Sequence, residues 1–125
     1  MRVMVFVKAT EDSERGFDFK QPEMQIMMEE MGRFNDDLVK AGILKDRECG
    51  GLKPSSYGKR IALDGASRTI IDGPFPNPRE QVAGYWIWEV KDMEEAIAWV
   101  KRCPNPMRGP SEIEIRPFFT DEDFE

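Results

Sequence analysis

Residues 83–103 read AGYWIWEVKDMEEAIAWVKRC, and the fold turns on how this stretch is read. In its first part Tyr85, Ile87 and Glu89 alternate with Trp86, Trp88 and Val90, the two-residue period of a β-strand. Both rows are largely apolar, as in a strand at the centre of a sheet. Asp92 followed three residues later by Glu95 is a capping box that opens a helix. Met93, Ala96, Ile97 and Val100 are expected to form the buried stripe of that helix, and Lys101 and Arg102 suit its negative end. Pro104 and Pro106 stop it.

Toward the N-terminus, residues 2–8 repeat the strand pattern, with Val3, Val5 and Val7 on one face and Met4 and Phe6 on the other. Residues 10–21 are polar and are expected to form a long loop. Pro22 suits the first turn of a helix, where its missing N–H costs nothing. Met24, Met27, Met28, Met31, Phe34 and Leu38 then recur at three- and four-residue spacing, and Gly42 ends the helix. The methionines read first as a core stripe of flexible side chains, with an adaptable binding surface as the alternative.

Residues 43–53 read as a strand or extended segment with a break near Gly50-Gly51. Residues 60–63 and 69–71 flank Asp64-Gly65, a hairpin signal. Residues 74–78 hold Pro74, Pro76 and Pro78 and must form a stiff loop. Residues 112–118 form a last strand, Ile113 and Ile115 inward and Glu114 and Arg116 outward, and the acidic residues 121–125 are expected to be solvated. The order is strand, helix, strand, inserted hairpin, strand, helix, strand. Without the hairpin this is the βαββαβ order of a ferredoxin-like α+β fold, here one domain over residues 1–125. One such domain leaves Met4, Phe6 and one aromatic row facing water. A second copy stacked sheet on sheet buries that face, which predicts a homodimer forming a dimeric α+β barrel. The competing arrangement has the hairpin and tail cover the face within one chain.

Composition excludes more than it specifies. The 125 residues are 40% hydrophobic and 34% charged, enough for a core without disulfide staples. There is no histidine, which removes the commonest general base and metal ligand. Two cysteines, Cys49 and Cys103, cannot form a zinc site, so no transition metal is expected. A net charge of −6 argues against nucleic acid, and phosphate-binding glycine fingerprints are absent, so no nucleotide cofactor is implied. The first nine residues are too short an apolar run for an export signal or a membrane span, and with two free thiols they point to a reducing cytoplasm.

Chemistry concentrates in the proline-rich loop. A rigid turn, an aromatic and opposite charges converge there, so Phe75, Arg79 and Glu80 are expected to wall a cleft for a small anionic or aromatic molecule. Asp72 or Glu80 would serve as a base if burial raised its pKa. The plain alternative has Asp72 capping the turn and Arg79 and Glu80 as a solvated pair. Tyr57 and Arg60, just before the hairpin, are candidates for the same cleft. Tyr85, Trp86, Trp88 and Trp99 suit a flat ligand but read first as core or interface.

Asp72-Gly73-Pro74-Phe75, then Glu80, Gly84-Tyr85, Glu95-Ala96-Ile97-Ala98-Trp99 and Glu114-Ile115-Arg116-Pro117 together resemble the DGPF group of YCII-related proteins. Ala41-Gly42-Ile43-Leu44 and Gly51-Leu52-Lys53-Pro54-Ser55 extend the likeness over nearly the whole chain. The resemblance implies ferredoxin-like protomers paired into an α+β barrel. It also implies a family mostly of unknown function, often encoded beside alternative sigma factors. A few relatives act on chlorinated aromatic intermediates, with a His-Asp pair proposed as active site. This chain has no histidine to fill that role. It also continues with Pro76-Asn77-Pro78-Arg79-Glu80 where the family usually has Ala-Glu-Thr-Lys-Glu, keeping only the basic position and the second acid. Two readings follow: a small-molecule-binding or regulatory accessory protein, or a cofactor-free lyase or isomerase using a carboxylate and an arginine.

Overall fold

The computed structural model describes residues 1–125. Strand β1 (Arg2–Lys8) buries Val3, Val5 and Val7 and leaves Met4 and Phe6 half-covered on the opposite face. After it come helices α1 (Glu11–Glu14) and α2 (Pro22–Lys40), and strands β2 (Cys49–Gly51), β3 (Lys59–Asp64) and β4 (Ser67–Asp72). Strand β5 (Val82–Glu89), helix α3 (Met93–Lys101) and strand β6 (Ile113–Pro117) complete the chain. The main sheet is antiparallel in the order β2-β5-β1-β6, and β3 and β4 form a separate two-stranded ribbon. Setting the ribbon aside, the four strands stand in the 4-1-3-2 order of a ferredoxin-like sheet.

The core lies between the valine row of β1, the tryptophan row of β5, and the two longer helices. Phe34 of α2 is its hub. Its ring meets Trp86, Trp88 and Trp99 edge-on, with centroids 6.1, 6.4 and 6.3 Å away. Trp99 sits on α3, so one phenyl ring joins both helices to the sheet. Such aromatic pairs add about 0.5–1.5 kcal/mol each beyond the area they bury. Asp92 caps α3 by accepting from the Glu95 N–H at 2.9 Å, and the Glu95 carboxylate reaches back to the Lys91 N–H.

Several local expectations need correction. Residues 10–21 are not all loop: Thr10 and Ser13 exchange hydrogen bonds in a capping box, and that reciprocity starts α1. In residues 43–53 the regular strand is not the apolar start but Cys49 and the two glycines themselves. Gly42, at a φ of 75°, turns the chain so that the Ile43 and Leu44 N–H groups both donate to the Leu38 carbonyl, which buries these two side chains beneath α2. The glycines pair because Gly50 and Gly84 approach closely; a Cβ on Gly84 would lie 3.1 Å from the Gly50 carbonyl oxygen. Ile97 is 42% exposed and leaves the buried stripe to Ala96 and its neighbours. The acidic tail is exposed, as expected, and forms a 3₁₀ turn (Asp121–Phe124) closed by Thr120 and Asp123.

The ribbon is exposed along its whole length. Ile61 stands opposite Ile70, with Leu63 next along the same face, so it shows solvent an apolar surface. No helix is long and apolar enough to cross a membrane. Because Phe34 touches all three tryptophans, Phe34→Ala is expected to cost about 3–5 kcal/mol, read as a lowered urea midpoint with loss of the near-ultraviolet tryptophan dichroism.

Candidate functional site

A cleft of about 1100 Å³ opens between α2 and the β2 edge of the main sheet. Only part of the methionine stripe belongs to the core. Met24 is buried at the start of α2 and Phe34 and Leu38 toward its end. Between these anchors Met27, Met28 and Met31 line the cleft, with Gly32 and Asn35 beside them. A Cβ on Gly32 would meet nothing within 4 Å, so the missing side chain keeps that wall open. Trp86 forms part of the sheet-side wall, and its indole N–H donates to the Asn35 side-chain oxygen at 2.8 Å, which fixes the ring.

The far wall is a loop assembly held by one carboxylate. Glu14 accepts from both the backbone N–H and the hydroxyl of Ser55, at 2.8 and 2.9 Å. The Ser55 hydroxyl oxygen in turn accepts from the Phe75 N–H at 3.0 Å. The Gln81 amide donates to the Phe75 and Pro76 carbonyls. Phe75 is thus fixed at both ends of its backbone, in the loop that begins with a cis Gly73–Pro74 bond. Gly73 lies so close to the chain at Ser55 that a Cβ would fall 1.8 Å from the Ser55 carbonyl oxygen. No other residue fits there.

Tyr57, Arg60 and Phe75 line this cleft together. The Arg60 guanidinium lies 4.0 Å over the Phe75 ring and the Lys53 ammonium 4.9 Å over the Tyr57 ring. Arg79 and Glu80 are elsewhere. Asn77, at a φ of 60°, reverses the chain into the 3₁₀ turn Pro78–Glu80, which carries both into a separate groove with Lys8 and Glu112. There Arg79 is 85% exposed and 3.7 Å from Glu112. Asp72 ends β4 in the open and pairs with Lys59. The structure therefore brings together three of the residues singled out in the sequence and separates Arg79, Glu80 and Asp72 from them.

Lys53, Glu14 and the methionine wall were not singled out as site residues. The one signal for them was the run of methionines at helical spacing, which suits a core and a cleft wall equally well. Cys49 also faces the cleft, and burial raises its thiol pKa, partly offset by the nearby Arg47 charge. Cys103 packs on the core outside the cleft, where burial pushes its thiol up to about 12. The lining is apolar over most of its area, and its ionisable side chains are one carboxylate, Glu14, four cations, two tyrosines and Cys49.

A sequence model of the YCII-related domain matches residues 1–119. An uncharacterised protein of Rhizobium meliloti (strain 1021) is 21% identical over 99 residues, covering 79% of this chain and 78% of its own.

Gly73→Ala is expected to lower the melting temperature sharply, since its new methyl group collides with backbone and not with a side chain able to move aside. Cys103 predicts a pH effect of definite sign. Its folded pKa of about 12 lies above the ordinary 9.0, so the stability it contributes is whole below pH 9 and is lost as pH rises toward 12. Urea unfolding at pH 8 and pH 10.5 should show a smaller alkaline loss for Cys103→Ala than for the parent protein.

Proposed function

The chain belongs to the YCII-related family, and from that premise we propose that it is a homodimeric accessory protein that binds a small molecule in the cleft between α2 and the β2 edge. The observation that carries this reading is the cleft itself: preformed, walled by methionine and aromatic side chains, and edged by a few polar groups. Ligand sites have this composition. The binding reading is favoured over a lyase or isomerase by where the carboxylates stand. Asp72 and Glu80 are outside the cleft, and Glu14 is engaged by Ser55. A general base must reach the proton it removes; two of the three stand outside the cleft and the third already accepts two hydrogen bonds from Ser55.

Dimerisation is supported by apolar surface without cover in one chain. Met4 stands opposite Ile87 and Phe6 opposite Tyr85 on the sheet face turned away from the helices. The ribbon adds Ile61, Leu63 and Ile70. An isolated two-stranded ribbon is marginal in water, which also calls for a partner surface.

A thermal-shift screen of charged and neutral fragments should yield stabilising compounds whose effect disappears in Gly32→Trp, a substitution that plugs the cleft from an exposed helix position. Hits that stabilise both proteins equally would place the site elsewhere. Light scattering at micromolar concentration should give twice the chain mass, and Phe6→Arg should shift it toward the single-chain value.

A further inference from the structure

Resting on the cleft as the binding site, we propose that its ligand is a flat aromatic carboxylate, the ring system against the methionine wall and Trp86, the carboxylate at the mouth taken by Arg60 and Lys53. Four cations line the cleft, in a chain whose net charge is −6. Two of them are neutralised within the chain, Arg15 by Asp12 at 3.2 Å and Lys59 by Asp72. Arg60 and Lys53 take part in no ion pair. Each is seated on an aromatic ring, Arg60 on Phe75 and Lys53 on Tyr57.

A ring beneath a guanidinium holds its plane and covers one face while leaving the N–H edge open, the edge that grips a carboxylate through two parallel hydrogen bonds. The Phe75 backbone is held on both sides, its N–H by Ser55 and its carbonyl by Gln81. The cation is therefore positioned before any anion arrives, which reduces the ordering cost of binding. Glu14 forms no ion pair with these cations, and its Oε2 accepts both Ser55 donors.

The interior selects the other end of the ligand. Thioether sulfurs make favourable contacts at aromatic edges, and Met27, Met28 and Met31 face the same space as Trp86. Trp86 is fixed by Asn35 and presents a rigid aromatic surface. An unbranched acyl chain would use the apolar area but gain less from rigid rings and sulfur. A flat ring system with one acidic group matches both ends of the cleft.

Isothermal titration with 2-naphthoate, its neutral counterpart naphthalene-2-carboxamide, and octanoate tests each part. The parent protein is expected to bind 2-naphthoate at least tenfold tighter than the carboxamide or octanoate. Arg60→Gln and Lys53→Gln should each weaken 2-naphthoate about tenfold and leave the carboxamide unchanged, with part of the loss recovered in Arg60→Lys. Both positions are exposed, so unaltered melting temperatures will confirm folding. Equal affinity for the acid and the amide, with both lost in Gly32→Trp, would overturn the carboxylate assignment while the cleft stands as the site. Octanoate binding as tightly as 2-naphthoate would overturn the flat-ring assignment. If neither naphthalene compound binds, the inference falls. The cleft falls with it only if the fragment screen also yields no compound sensitive to Gly32→Trp.

Discussion

Phe34 presses the C-terminal half of α2 onto the tryptophans of β5, and the cleft begins where that contact ends. The helix is held at two places, Met24 near its start and Phe34 with Leu38 toward its end. Between them Met27 and Met28 face the cleft, while Met31 both lines it and packs on the core. A helix fixed only in the middle would rock and close the gap; one packed along its whole length would leave none. Trp86 serves both sides of this arrangement, touching Phe34 in the core and lining the cleft while bonded to Asn35. The stability of the core and the shape of the cleft thus share one side chain.

The second constraint is the chain of contacts from Glu14 through Ser55 to Phe75. It joins three segments far apart in sequence: the short helix after β1, the 3₁₀ turn before the ribbon, and the proline-rich loop after it. Each is a connection with little apolar area of its own. The Ser55, Gly73 and Phe75 N–H groups are each satisfied by a neighbouring segment, which ties the far wall of the cleft together. Gly73 is the point of closest approach in that unit, and its lack of a side chain is what lets the loop come down onto Ser55.

Two apolar surfaces stay open in the single chain, the sheet face around Met4 and Ile87 and the ribbon face around Ile61 and Ile70. The helices cover only one side of the sheet. The other side carries Glu114 and Arg116 on its β6 edge and apolar residues at its centre, the arrangement of an interface with a polar rim. Burial of these surfaces against a second copy belongs to the proposed assembly, and the cleft borders both of them, through Tyr85 of the sheet face and Lys59 and Arg60 of the ribbon.

The sequence by itself determined the ferredoxin-like order of elements, because the two-residue and 3.6-residue periods of hydrophobicity are local and survive any arrangement of loops. It determined the capped start of α3 and the central place of β1 and β5, and it named Tyr57, Arg60 and Phe75 only as candidates for a cleft that was to include Arg79 and Glu80. Only the tertiary structure decided that Arg79 and Glu80 leave that cleft. Their direction depends on the left-handed turn at Asn77, which hydrophobic pattern does not encode. Only the tertiary structure split the methionine stripe between core and cleft, because periodicity marks a face of a helix but not the distance at which something lies opposite it. The pairing of Gly50 and Gly51 with β5 was hidden for a similar reason. Glycine reads locally as a break, and its value in a strand appears only when another backbone must come close.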